Sequence, residues 1–262
     1  MVSSERYLSI ICACYNASET IVSLLASLRQ QTDTYFELII IDGASTDGTK
    51  EIIGLNSDII DKFVSEKDNG IYDAWNKGVE LASCDWICFV GADDVLEPNF
   101  VEVYSEAIQD CRSRDADYIS SRVNYLSENG SVFRILGEPW VWSKFRKRMT
   151  TAHVGSLHHK RLFYEVGGFD TSFKICGDYE LLLRKGKQLK TVFIDEVLVN
   201  MASGGASLGF KAIVEKRKAQ MKNRSVSAFL GFLILIFDFF ALCVFKLKMW
   251  WKDVLFFQRK TF

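Results

Sequence analysis

Residues 36–49 read FELIIIDGASTDGT, an apolar run that ends abruptly in an acidic loop with two glycines. Residues 86–94, WICFVGADD, again join an apolar run directly to acids. Short apolar runs bounded by turn residues are typical of buried strands. Both acidic loops are therefore predicted at the carboxyl ends of strands, where open α/β sheets bind their ligands.

The rest of the first half alternates strand and helix patterns. The predicted strands are Leu8–Cys14, Phe36–Ile41, Phe63–Ser65 and Trp86–Val90, and the predicted helices are Glu19–Gln30, Thr49–Leu55, Gly70–Ala82 and Phe100–Arg112. Ser18 is the predicted N-cap of the first helix. Tyr118–Leu126 and Ser131–Leu136 indicate a hairpin around Asn129-Gly130. The alternation predicts an α/β fold with a mostly parallel sheet.

Composition describes a globular chain with an uneven charge distribution. Its 262 residues are 48% hydrophobic, which excludes a disordered protein. The net charge of −1 predicts no nucleic-acid partner, and seven cysteines without a paired CxxC set predict reduced cytosolic thiols. The N-terminus shows no secretory signal pattern. Residues 211–262, however, contain 11 basic and three acidic side chains, so we predict a body at 1–210 and a basic, apolar tail with an anionic partner.

The acidic loops allow two interpretations each. Asp93 and Asp94 are adjacent carboxylates that form either a solvated turn or a site for a divalent cation, because Mg²⁺ and Mn²⁺ take one or two carboxylates plus phosphate oxygens. The loop from Asp42 to Thr49 is either a tight turn or a nucleoside contact. It lacks the Gly-Lys-Ser/Thr ending of a P-loop and the glycine pattern of dinucleotide folds.

Four motifs in register carry a resemblance to a known family. They are Ile11–Asn16 (ICACYN), Asp42–Thr49 (DGASTDGT), Asp68–Gly78 (DNGIYDAWNKG) and Gly91–Asp94 (GADD). Over residues 7–205 the chain resembles family 2 glycosyltransferases of the GT-A fold. The resemblance implies a nucleotide-sugar donor, usually a UDP-sugar. Ala13 and Gly43 depart from the residues common in the family.

The resemblance also implies roles for individual residues. Tyr15 would border the base, Asp42 would contact the nucleoside and Asp93 would face the ribose. Asp94 would hold Mn²⁺ or Mg²⁺ against the diphosphate. The remaining implied donor contacts are Asn16, Ser45, Asp47, Asp73 and Lys77.

Asp178 matches the general base of the family. A sugar hydroxyl is a poor nucleophile, and a carboxylate can take its proton during attack. The alternative is that Asp178 only caps a helix over 179–185. Glu180 is expected to be structural. The family resemblance implies a single displacement and inversion at the anomeric carbon.

The acceptor side is less specific in sequence. His153 and Tyr179 are the implied acceptor contacts, whereas His153, His158 and His159 together also allow a zinc site or structural roles. Ser203–Ser207 (SGGAS) resembles a flexible loop over the diphosphate. Lys144–Arg148 is a basic run that fits a solvated face or a lipid diphosphate.

The tail contains 20 nearly continuous apolar residues, 226–245, interrupted by Asp238. Basic residues flank both ends. The positive-inside rule favours a cytosolic position for both flanks, but a single span would put them on opposite sides of the membrane. We therefore predict a C-terminal helix that lies in the membrane interface, with a true span, packing on the catalytic domain or a homodimer contact as alternatives. Ser227, Gly231, Asp238 and Ala241 form one stripe that can face protein or water.

Together these features predict an inverting, metal-dependent glycosyltransferase at the cytoplasmic face of the inner membrane. Its predicted acceptor is a lipid-linked saccharide in bacterial polysaccharide, lipopolysaccharide or O-antigen assembly, and its predicted lipid partner is anionic. One alternative is a polyprenyl-phosphate sugar synthase. Another is a non-catalytic partner that only binds nucleotide sugars.

Overall fold

A computed structural model describes residues 6–110, 115–127, 129–202 and 209–259. The strands are β1 (Leu8–Cys14), β2 (Phe36–Asp42), β3 (Lys62–Ser65), β4 (Trp86–Gly91), β5 (Val95–Leu96), β6 (Tyr118–Leu126), β7 (Val132–Leu136), β8 (Leu157–His159) and β9 (Thr191–Met201). The helices are α1 (Ile21–Arg29), α2 (Thr49–Leu55), α3 (Ile71–Leu81), α4 (Phe100–Gln109), α5 (Trp142–Phe145), α6 (Lys160–Val166), α7 (Gly177–Lys185), α8 (Phe210–Lys222) and α9 (Ala228–Arg259). The α/β prediction is confirmed.

The first half is a parallel sheet in the order β3-β2-β1-β4. Its strands are rich in Ile, Val and Phe, and β1, β2 and β4 are buried along nearly their whole length. Such strands need helices on both faces. One is α3, where Gly78 lets the helix approach β1 so closely that a methyl group there would lie 2.4 Å from Ile11.

The second half departs from the expected parallel pattern. β8 pairs antiparallel with both β4 and β6, β7 with β6, and β5 with β9, while β6 and β9 run parallel. The predicted mostly parallel sheet is therefore correct for β1–β4 and for the pairing of β6 with β9, whereas the remaining pairings of the second half are antiparallel. The β6–β7 hairpin reverses the chain direction, and β5 and β8 also run antiparallel to the strands they pair with. The strands β5 and β8 are short and have no strong sequence signal.

Most predicted element boundaries differ by one to three residues from the observed ones, and the first helix and the tail helix illustrate why. Helix α1 begins at Ile21 with Thr20 as its N-cap, so the prediction of Ser18 is wrong; the Ser18 amide donates to Asp47 Oδ2 (3.0 Å) in the neighbouring loop. The tail helix begins at Ala228 and continues to Arg259, past the predicted end of the apolar segment. Helix propensity does not stop where hydrophobicity does, so lysines and arginine continue the helix.

Helix α8 packs on the catalytic body through α7, and α9 packs on α8. Ala219 and Gln220 of α8 are completely buried, and the Gln220 amide donates to the Lys147 carbonyl (2.9 Å). Asp238 of α9 pairs with Lys216 of α8. Of the small and polar stripe, Gly231 and Asp238 face α8, whereas Ser227 and Ala241 are exposed. Within the described residues no helix has both the length and the hydropathy that a membrane crossing requires.

Candidate active site

The register of the parallel strands aligns their acidic ends. Cys14 lies opposite Asp42, and Asp42 lies opposite Ser65 on the next strand. On the other side of β1, Ala13 lies opposite Gly91, which precedes Asp93 and Asp94. We call the loops that follow β1, β2, β3 and β4 the acidic edge. Burial and the nearby Asp42, together with Asp47 and Asp68, raise the pKa of the Cys14 thiol to about 12.

Asp42 is completely buried at this edge. Its carboxylate accepts hydrogen bonds from the Ser45 amide (3.0 Å), the Ser65 hydroxyl (2.6 Å) and the Ser45 hydroxyl. Ser45 belongs to the loop after β2, and Ser65 is the last residue of β3. Asp42 therefore holds the loop after β2 against β3, and its side chain presents no exposed oxygen for the predicted nucleoside contact.

Asn16, Ser45 and Asp47 join the first two loops. The Asn16 amide donates to Ser45 Oγ (2.7 Å), and Asn16 Oδ1 accepts from the Thr46 amide (3.0 Å). Asp47 accepts from the Ser18 amide and the Thr49 hydroxyl (2.6 Å). The Thr49 hydrogen bond holds the pKa of Asp47 well below its usual range. These three predicted donor residues fix loop geometry through backbone contacts.

Tyr15 and Asp68 form the open part of the edge. Tyr15 is 64% exposed. A methyl group at Gly43 would lie 2.7 Å from Asp68 Oδ2 and 3.3 Å from the Tyr15 ring, so the missing side chain at this position makes room for both. Asp68 is the first residue of the third sequence motif but is not among the predicted donor contacts, and the structure adds it as a candidate because of this position. Its carboxylate also accepts from the Gly70 amide (2.8 Å).

The two adjacent acids after β4 have different surroundings. Asp94 is 2% exposed, and its Oδ2 accepts from the Gly91 amide (2.7 Å), which closes the turn. Burial and the neighbouring Asp93 raise the pKa of Asp94 to about 7. Asp93, in contrast, is exposed. The predicted metal ligand is thus the buried member of the pair, and the exposed carboxylate is Asp93.

A divalent cation fits this pair chemically. Two carboxylates crowd Gly91, where a methyl group would lie 2.6 Å from Asp93 Oδ1 and 3.0 Å from Asp94 Oδ2. Their mutual repulsion is relieved by a cation. Among the described residues no three acidic, His or Cys side chains are grouped as a metal site. Magnesium-type sites commonly use only one or two carboxylates plus substrate phosphates and water.

Helix α3 links the acidic edge to the second half of the chain. Asp73 accepts from the Asn69 amide (2.9 Å), and Lys77 pairs with Glu66 (2.8 Å). These two predicted donor residues therefore support the loop before α3. On the same helix, the Tyr72 hydroxyl donates to the Ile175 carbonyl (2.7 Å) and lies 3.2 Å from Asp178 Oδ1.

Asp178 occupies the first turn of α7. Burial raises the pKa of its carboxyl to about 6. The Tyr179 amide (2.8 Å) and the Tyr72 hydroxyl, which shares its one proton between Asp178 and the Ile175 carbonyl, favour the charged form and only partly oppose this shift. A carboxyl group with a pKa slightly below 7 is mostly deprotonated at pH 7 before the reaction, yet it is basic enough to accept a proton during it. The hydrogen bond from the Tyr179 amide shows that the Asp178 side chain also contributes to the start of the helix.

Asp178 lines a cavity of about 620 Å³. This volume lies in the range of small-molecule binding sites. Its wall combines apolar side chains with three cations, and α9 contributes Ala241 and Leu242. The other lining residues are Tyr125, Phe133, Arg134, Arg148, Met149, Ile175, Cys176, Tyr179, Gly209, Ala212, Ile213, Lys216 and Asp238. The cavity therefore joins the candidate base to the tail.

The two predicted acceptor contacts are largely buried. His153 stacks on Trp75 and Phe89, and neither of its ring nitrogens has exposed surface or a hydrogen-bond partner in the described part of the chain. Burial lowers the pKa of His153 to about 3. Tyr179 is 2% exposed and donates to the Phe145 carbonyl (2.9 Å). Their acceptor role stays a prediction. The glycine loop at 203–207 lies outside the described residues.

Glu180 is structural, as expected. It is completely buried and pairs with Arg184 (3.1 Å) on α7 and with Lys222 (2.9 Å) on α8. The basic run at 144–148 is partly neutralised, because Arg148 pairs with Glu138 (2.9 Å).

Sequence comparison matches residues 9–173 to the profile described as glycosyl transferase family 2. A curated relative is the PGL/p-HBAD biosynthesis glycosyltransferase of Mycobacterium tuberculosis, 28% identical over 180 residues, which are 67% of this chain and 68% of the relative. The chondroitin synthase of Escherichia coli is 27% identical over 230 residues, which cover 84% of this chain but only 32% of that protein.

Solved structures with the same fold are more distant in sequence. Residues 1–349 of Staphylococcus aureus TarS, in complex with UDP-GlcNAc, superpose with a TM-score of 0.66 at 15% identity, covering 87% of this chain and 70% of that one. The mannosyltransferase PcManGT of Pyrobaculum calidifontis, in complex with GDP-Man and Mn²⁺, gives a TM-score of 0.59 at 15% identity, covering 91% and 70%.

Proposed function

Because the chain belongs to glycosyl transferase family 2 and is a glycosyltransferase, we propose that it transfers a sugar from a nucleotide-sugar donor to a lipid-linked saccharide. The donor is proposed to be a UDP-sugar, which the TarS complex with UDP-GlcNAc supports by analogy of fold. The donor would lie along the acidic edge, against the exposed Tyr15 and Asp93 and the half-buried Asp68.

The observation that carries this proposal is Asp178, a carboxylate with a pKa near 6 that opens into a cavity. In the proposed step the acceptor hydroxyl gives its proton to Asp178 while its oxygen bonds to the anomeric carbon. The bond from that carbon to the diphosphate breaks at the same time. One displacement of this kind inverts the anomeric configuration.

The proposed cofactor is Mn²⁺ or Mg²⁺, with Asp93 rather than Asp94 as its direct protein ligand. Asp93 is exposed, whereas Asp94 closes the turn behind it. When bound, the cation would neutralise charge on the departing diphosphate.

A lipid-linked acceptor and an anionic membrane surface are supported by α9. Its exposed apolar side chains are Phe229, Phe232, Leu233, Ile236, Phe237, Phe239 and Phe240. The same helix lines the cavity that contains Asp178. Basic side chains on α8 lie beside it, and clusters of this kind attract anionic lipids. We propose that the protein acts at the cytoplasmic face of a bacterial inner membrane, in polysaccharide assembly.

The experiment that tests the proposal is a screen of nucleotide sugars with purified protein and Mn²⁺. One of them, most simply a UDP-sugar, is expected to bind and to release its nucleoside diphosphate slowly, and EDTA is expected to reduce both. The proposal is wrong if none binds and EDTA changes nothing.

A further inference from the structure

Helix α8 lies beyond the predicted catalytic body, yet one of its side chains reaches the loop that leads to Asp178. The Glu215 carboxylate accepts hydrogen bonds from three consecutive amides, those of Lys174 (2.9 Å), Ile175 (2.8 Å) and Cys176 (3.0 Å). Bonds from amides to an ionised carboxylate are stronger than neutral ones. Side chain and loop are about 40 residues apart in sequence.

The same loop is held from its other side by α3. The Ile175 amide donates to Glu215 while the Ile175 carbonyl accepts from Tyr72, so one peptide segment is fixed through both kinds of backbone group. Helix α7 begins one residue after Cys176, and Asp178 is its second residue. The position of the Asp178 carboxylate therefore depends on the position of this loop.

We propose that Glu215 is a positioning residue that holds the 174–176 loop and thereby aims Asp178 at the acceptor hydroxyl. The inference rests on the proposed role of Asp178 as the base. General-base catalysis needs a carboxylate within hydrogen-bond reach of the proton. Without Glu215 three amides lose their shared acceptor, and the loop must rearrange to satisfy them.

Two variants test the proposal at different strengths. Glu215→Ala removes both oxygens, whereas Glu215→Gln keeps one oxygen as an acceptor and is less disruptive to folding. Glu165→Ala is the matched control, because Glu165 is also a glutamate whose carboxylate has a partner, here Lys185, but it is half-exposed on α6 and does not contact the 174–176 loop. The readouts are kcat and KM with the nucleotide sugar from the screen, UDP binding with Mn²⁺ by calorimetry, and amide hydrogen exchange of the 173–178 segment.

Glu215→Ala is expected to lower kcat about 10²-fold, as a base displaced by about 1 Å would. Donor KM and UDP binding should stay within about twofold of wild type, since the acidic edge is untouched. The 174–176 amides should exchange faster, Glu215→Gln should be intermediate, and Glu165→Ala should match wild type.

The inference is overturned if Glu215→Ala keeps wild-type kcat, if the loop exchange is unchanged, or if UDP binding falls in parallel with kcat. Asp178→Asn separates this failure from failure of the proposed function. An inactive Asp178→Asn beside a fully active Glu215→Ala removes only the role of Glu215. A fully active Asp178→Asn would show that Asp178 is not the base, and the positioning role of Glu215 would then be wrong as well.

Discussion

The acidic edge and the cavity at the start of α7 surround their carboxylates differently. At the edge, Asp42 and Asp47 accept several hydrogen bonds from loop amides and hydroxyls, and the pKa of Asp47 is held low. Asp178 accepts only two hydrogen bonds among the described residues, opens into a cavity and has a raised pKa. Asp42 and Asp47, with several hydrogen bonds each, build the site. Asp94 at the edge also has a raised pKa, about 7, but its carboxylate closes a turn, whereas Asp178 lines a cavity in which it can take a proton.

The largest expected effect is on the carboxylate in the cavity. Asp178→Asn should reduce transfer by about 10²–10⁴-fold, the usual contribution of a general base. Calorimetry with UDP and Mn²⁺ should give an unchanged affinity, because the acidic edge is intact. Near-normal turnover would show that Asp178 is only a helix-start residue, and the contrast between the two regions would lose its functional meaning.

The second prediction concerns which region faces the membrane. Replacing Phe232 and Phe237, which are 58% and 70% exposed on α9, by serine should weaken binding to phosphatidylglycerol-containing vesicles. Each inserted ring contributes up to about 1.5–3 kcal/mol. Leu55→Ser is the control, since Leu55 is 84% exposed at the end of α2, in the parallel half of the chain. Equal losses in a vesicle sedimentation assay, or no loss from either, would contradict a membrane face at the tail.

The third prediction tests the structural role of Asp42. Asp42→Ala leaves the buried Ser45 amide without its acceptor and should cost about 1–3 kcal/mol of unfolding free energy per orphaned donor. Urea denaturation measures this loss. Asp115→Ala, at an 89% exposed side chain, should change stability by less than about 0.5 kcal/mol. A stable Asp42→Ala that has lost UDP binding would instead identify Asp42 as a direct nucleoside contact.

The smallest expected effect distinguishes the two acids after β4. Asp93→Asn should weaken Mn²⁺-dependent UDP binding by at least about tenfold, or 1.4 kcal/mol, and leave metal-free binding unchanged. Asp94→Asn should retain most of the Mn²⁺ dependence, since its carboxylate closes the turn. If calorimetry shows that Asp94→Asn loses the Mn²⁺ dependence and Asp93→Asn keeps it, Asp94 is the metal ligand.

Local sequence patterns predicted the acidic edge well. Apolar runs that end in acids identify strand ends, and parallel strands bring those ends to one side of the sheet. The sequence does not predict which acid of the Asp93–Asp94 pair is exposed, because that depends on how the turn orients the two adjacent side chains. The burial of Asp42 depends likewise on Ser65 from the next strand.

The second half was harder to read because its decisive contacts are not local. The proposed base, Asp178, lies in a sequence motif. Glu215, in contrast, belongs to no motif, and it contacts a loop about 40 residues away in sequence. The charge difference between body and tail favoured separating them at residue 210. Helix α8 nevertheless buries Ala219 and Gln220 against the catalytic body. Packing of this kind follows from tertiary structure and not from hydrophobic periodicity.

The most direct test of the account is the dependence of kcat on pH for the wild-type enzyme with its identified donor. A base whose pKa is raised to about 6 is protonated below that pH, so log kcat should rise with unit slope up to about pH 6 and then level off. A rate that stays constant from well below pH 6 to neutrality would contradict a proton-accepting role for Asp178.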